Sequence, residues 1–121
     1  MAKILIAGED AVATEILSAE ILAEGYEVLL VPDGYQAVEQ TLERKPELVF
    51  VEPSLPIFSG YEVCSMLRKD PDVPAGLPIV FIVSLDADLR RIEKVGATAC
   101  LAKLHAAWEL RDLLAKYVPG S

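Results

Sequence analysis

Five short apolar runs, each followed by a stretch of helical character, constrain this chain more than any other feature of it. Ile4 to Ala7 is the first run. A helical segment from about Ala11 to Ala23 follows, and Gly25 supplies its stop. Tyr26 to Val31 is the second run, and Asp33-Gly34 opens a helix whose Ala37, Val38, Thr41 and Leu42 share one face. Pro46 interrupts the chain before Leu48 to Val51, and the helix after that run sets Val63, Cys64 and Leu67 on one side. A Pro-containing linker, Asp70 to Gly76, precedes Ile79 to Val83. A short helix ending at Gly96 leads to Thr98 to Ala102, and a last helix is expected to bury Leu110, Leu113, Leu114 and Tyr117. The runs are continuous rather than alternating, as in a parallel sheet covered on both faces. Right-handed crossovers between five such units make a three-layer α/β sandwich.

The length of 121 residues suits one domain with one core, and the 53% apolar and 25% charged content is that of a globular protein. No apolar run approaches the roughly 20 residues that span a bilayer, so no membrane role is expected. The opening Met-Ala-Lys-Ile-Leu-Ile has no basic lead or cleavage site, which gives a cytoplasmic expectation. A net charge of −8, from 11 basic and 19 acidic residues, argues against direct nucleic-acid binding. Cys64 and Cys100 read as buried, reduced thiols among apolar neighbours. With no CxxC and a single histidine, His105, a zinc site is not indicated.

A parallel α/β sheet builds its working site at the carboxyl ends of its strands. The residues just past the apolar runs are Gly8-Glu9-Asp10, Glu52, Ser84 and Lys103. Each alone reads as a solvated strand end or a helix cap, and Asp10 is a candidate cap for the first helix. Together, at equivalent topological positions, they suggest one pocket with carboxylates, a hydroxyl and an ammonium.

At these residues the chain resembles a two-component receiver domain over almost its full length. The resemblance rests on Lys3-Ile4-Leu5-Ile6-Ala7, Gly25-Tyr26-Glu27-Val28, Asp33-Gly34 with Ala37, and Lys45-Pro46-Glu47-Leu48-Val49. It continues through Leu55-Pro56, Gly60-Tyr61-Glu62-Val63-Cys64, Leu67-Arg68, Pro78-Ile79-Val80, Gly96-Ala97 and Lys103. It implies a flavodoxin-like (βα)5 domain over residues 1–121, with strand order 2-1-3-4-5. It also implies an aspartate after the third strand that accepts a phosphoryl group, two acidic residues after the first strand that help hold Mg²⁺, and a lysine that neutralises phosphoryl oxygens. A hydroxyl after the fourth strand and an aromatic on the fifth complete the family's switch.

Here the acceptor position is Glu52, and the acidic pair is Gly8-Glu9. Ser84 and Lys103 are kept, Leu104 replaces the usual proline, and Cys100 stands at the switch-aromatic position. The segment from Ser84 to Lys103 is shorter than the family's, so a clipped fourth helix is expected. An in-line attack tolerates little misplacement, about 1 Å costing a hundredfold. Two altered carboxylates therefore point to a degenerate pocket, with Glu9 at most a weak Mg²⁺ ligand and no other cofactor. Glu52 is expected to reach Lys103 directly, the two being read as neighbouring strand ends. That pair either mimics an active state or freezes a neutral one.

The leading expectation is a receiver-like, non-enzymatic signalling module acting by protein–protein contact. Its partners would be other signalling proteins or a fused output domain. The alternatives are a true phosphoacceptor using Mg²⁺ and Glu52, and a flavodoxin-like binder of a small ligand. Against the last, Glu9 and Asp10 place carboxylates where a phosphate loop needs bare amides. A candidate partner surface comprises Arg90, Arg91, Lys94, Trp108 and Arg111, with Trp108 also readable as a core residue. His105 reads as a helix-start residue rather than a catalyst.

Overall fold

A computed structural model describes residues 2–119. The elements alternate along the chain: β1 (Lys3–Ala7), α1 (Ala11–Ala23), β2 (Glu27–Val31), α2 (Gly34–Arg44), β3 (Leu48–Val51), α3 (Gly60–Lys69), β4 (Ile79–Val83), α4 (Leu89–Lys94), β5 (Ala99–Ala102) and α5 (Ala107–Tyr117). All strand pairs are parallel, and the sheet order is β2-β1-β3-β4-β5, as the resemblance implied. The fourth helix is short, at six residues.

The strands are apolar throughout because both faces of the sheet are covered. Ile4, Ile6, Phe50, Val80, Ile82 and Leu101 pack with Leu17 and Ile21 of α1 and Leu110, Leu113 and Leu114 of α5. Leu5, Ala7, Val49, Val51 and Phe81 pack with Ala37 of α2, Val63, Cys64 and Leu67 of α3, and Ile92 of α4. Burying a side chain of this size contributes about 1.5–3 kcal/mol. The cover thins at the edges. Leu30 on β2 is half exposed, and Cys100 on β5 is exposed rather than buried as expected. The six-residue α4 and the edge position of β5 leave that side of the sheet short of cover. Tyr117 is only partly buried against the core.

Trp108 is 60% exposed, so it is not a core residue. Leu110, Leu113 and Leu114 take the inward stripe of α5 and leave Trp108 outside it. The five residues expected to form one partner surface come from the last two helices. Arg90, Arg91 and Lys94 belong to α4 in one helical layer, whereas Trp108 and Arg111 belong to α5 in the other.

The parallel ladder runs one residue past the strands. The Gly8 N–H donates to Val31 O (3.1 Å), the Glu52 N–H to Ala7 O (2.9 Å) and the Lys103 N–H to Val83 O (2.9 Å). These bonds place all three residues along the carboxyl edge of the sheet.

Candidate functional site

Local structure sets the walls of the site. Asp10 caps α1, its Oδ1 accepting from the Ala13 N–H at 3.2 Å, which fixes the turn after β1. Ser59 and Glu62 form a capping box that starts α3. Gly60 lies so close under the Glu52 carbonyl that any Cβ there would collide with it. The loop after β3 is thereby pressed beneath Glu52.

Glu52 is 4% exposed. Its Oε1 accepts from the Glu9 N–H at 2.7 Å and the Asp10 N–H at 3.3 Å. Its Oε2 is buried without a hydrogen-bond partner and lies 3.8 Å from Lys103 Nζ. The ammonium approaches Asp10 more closely, at 3.3 Å from Oδ2. The expected Glu52–Lys103 pair therefore exists, but it is the longer of two contacts. The premise of neighbouring strands was wrong: β4 lies between β3 and β5, and Lys103 reaches across its end. The backbone bond to Ala13 and then the bond to Lys103 hold the Asp10 carboxyl below its ordinary range.

Gly8 explains how a glutamate fits. A Cβ on residue 8 would lie 2.9 Å from Glu52 Cδ and 3.1 Å from Oε1, and closer still to Thr14 Cγ2. The longer Glu52 side chain has turned into the volume that a side chain at position 8 would occupy. Thr14, whose Oγ1 donates to Asp10 O at 3.0 Å, fills the remainder. Thr14 had not been singled out; its position one turn after Asp10 was the available signal.

Ser84 lines the site, but its Oγ donates to Asp86 Oδ1 at 2.8 Å and so is engaged within its own loop. The cavity, about 390 Å³, is bounded by Glu9, Asp10, Glu52, Ser84 and Lys103, together with Pro53, Ser54 and Ile82. The Lys103–Leu104 bond is trans and Leu104 is fully exposed. His105 does more than start a helix. Its Nδ1 is 2.9 Å from Ala102 O and its Nε2 is 2.9 Å from Glu20 Oε1, tying the lysine loop to α1.

The donor set does not suit a hard divalent cation. Glycine replaces one carboxylate, Oε1 of Glu52 is committed to two amides, and an ammonium faces Oε2. Among the described residues no three acidic, histidine or cysteine side chains are placed to hold one ion together. No described helix is long and apolar enough to cross a membrane.

A family model for the response regulator receiver domain matches residues 4–115. The DNA-binding response regulator MtrA of Mycobacterium tuberculosis is 34% identical over 82 residues, 68% of this chain and 34% of that protein. The chain thus spans about a third of the length of such curated relatives. Among solved structures, the receiver domain of a sensor histidine kinase from Pseudomonas aeruginosa has a TM-score of 0.89 at 26% identity, covering 99% of this chain and 98% of that one. That structure has a magnesium ion coordinated in its active-site cleft. The receiver domain of a histidine kinase from Syntrophus aciditrophicus shares the fold, with a TM-score of 0.89 at 23% identity over 99% of this chain and 92% of that one.

Proposed function

Because this chain belongs to the response regulator receiver domain family, we propose that it is a signalling module of two-component type that works by protein–protein contact, without phosphoryl transfer at residue 52 and without turnover. The observation that carries this reading is the fate of the Glu52 carboxylate. One oxygen is bound by the amides of Glu9 and Asp10, and the side chain occupies the space beside Gly8 that metal binding would need. Ser84 bonded to Asp86, and Cys100 in place of a ring, favour a frozen neutral state over a mimic of the active one. The partner is a fused output domain or a separate signalling protein, in keeping with relatives of which the matched region is only about a third. Residues 1–121 act as one receiver unit in the cytoplasm. The small-ligand alternative has little support, since carboxylates line the mouth of the cavity.

A Mg²⁺ titration followed through the Glu9 and Asp10 amide resonances tests the pocket. Saturation no tighter than the millimolar range is expected, which is about 4 kcal/mol of binding or less. A dissociation constant well below that would favour the phosphoacceptor reading.

A further inference from the structure

The positive charge of this acidic chain is concentrated in one place. Five of its 11 basic residues, Arg68 and Lys69 of α3 and Arg90, Arg91 and Lys94 of α4, line one open cleft of about 790 Å³. The single acidic residue there, Asp88, is engaged at the start of α4, where its Oδ1 accepts from the Arg91 N–H. Among the described residues, no ion pair involves any of the five cations.

Two of the guanidiniums are held in place. Arg68 donates to Leu77 O (2.7 Å), Gly96 O (2.9 Å) and Thr98 Oγ1 (3.1 Å), which fixes the α4–β5 turn against α3. Arg91 lies over the Tyr61 ring, 3.9 Å from its centroid. Lys69, Arg90 and Lys94 are exposed around this ordered floor. Charges that are already positioned lose less freedom when an anion arrives.

From this arrangement we propose that the α3–α4 cleft binds an Asp/Glu-rich segment of a partner protein. Charge complementarity names the partner, and the walls favour it over the alternatives. The lining of the cleft offers no aromatic side chain on which a nucleotide base could stack. A long nucleic-acid duplex would extend beyond the cleft onto a surface that carries the chain's acidic excess. A short acidic stretch avoids both obstacles, and guanidiniums hold carboxylates through paired bonds. The cleft shares no lining residue with the Glu52 pocket.

The test is fluorescence anisotropy with a short labelled peptide rich in Asp and Glu, beside its Asn/Gln counterpart, with a nucleoside triphosphate and duplex DNA as competitors. The acidic peptide should bind and weaken steeply with salt, and its neutral counterpart should not bind. The triple variant Lys69→Glu, Arg90→Glu, Lys94→Glu should lose about tenfold or more in affinity. The same positions changed to Gln should lose less, and Lys45→Glu with Lys116→Glu should lose little. Circular dichroism confirms that each variant is folded; if the Glu triple is not, the Gln triple decides. Failure of the acidic peptide to bind, equal losses in cleft and remote variants, or equal competition by the triphosphate or duplex would overturn the proposal.

Discussion

The Glu52 carboxylate stands where a side chain on residue 8 would begin, so that a Cβ on Gly8 would lie 2.9 Å from Glu52 Cδ. The two positions therefore depend on each other. Gly8→Asp alone should destabilise the fold by about 1–3 kcal/mol through overpacking. Glu52→Asp withdraws the carboxylate, and Thr14→Ser removes the methyl group that also crowds residue 8 while keeping the hydroxyl bonded to Asp10 O. Urea denaturation of the single and combined variants should show strong non-additivity, with the triple variant recovering most of the loss. Additive losses would mean that Glu52 does not fill the position-8 space.

Asp10 links the site to acid stability. Its folded pKa lies below the ordinary value of 3.8, first through the Ala13 N–H and then through Lys103. Its contribution is therefore present above that ordinary value and is lost as pH falls through the lower folded one. Asp10→Asn keeps a competent helix cap but removes the charge. The stability gap between wild type and variant should be open near neutral pH and close below about pH 4. A gap that stays constant on acidification would show that the charge contributes nothing.

Ile57 is held at φ 71° and is 68% exposed. A β-branched residue in that region is strained, by roughly 1–2 kcal/mol. The turn persists because the preceding carbonyl, Pro56 O, accepts from both the Gly34 N–H (3.0 Å) and the Phe58 N–H (2.9 Å). Ile57→Gly should stabilise the protein by about 0.5–1 kcal/mol after glycine's own entropy cost. An unchanged or lower melting temperature would argue against strain at this turn.

The two thiols should separate cleanly. Burial pushes the Cys64 thiol up to about 11, and its Sγ donates to Val95 O, whereas Cys100 is exposed on the edge strand. Alkylation at mildly alkaline pH should label Cys100 in the folded protein and Cys64 only after unfolding. Labelling of both at equal rates would mean that the α3–α4 layer opens readily.

The order of elements was legible because each strand is a nearly unbroken apolar run, Ile4 to Ala7 and Ile79 to Val83 above all. The residues of the pocket were legible for the same reason, since topology alone puts Gly8, Glu52 and Lys103 on one edge. Side-chain direction was not. Nothing in the spacing indicates that Glu52 turns to the Glu9 amide, that Lys103 lies nearer Asp10, or that Ser84 bonds Asp86. The exposure of Cys100 was misread because the sheet edge lacks the cover that apolar composition suggests, whereas Trp108, readable either way, lies outside the leucine stripe of α5. The clustering of Arg68 and Lys69 with the α4 cations requires α3 and α4 to be adjacent, which a linear reading does not show.

The central claim is that this pocket no longer accepts a phosphoryl group. Its most direct test is incubation with a small phosphodonor and Mg²⁺, read by intact mass, with wild type beside the Gly8→Asp, Thr14→Ser, Glu52→Asp variant. Lys103 already faces the cavity and Ser84, which lines it, need only leave Asp86, so the triple variant should gain one phosphoryl group and wild type none. A phosphoryl adduct on the wild-type chain, mapped to Glu52 or a neighbouring carboxylate, would contradict the account.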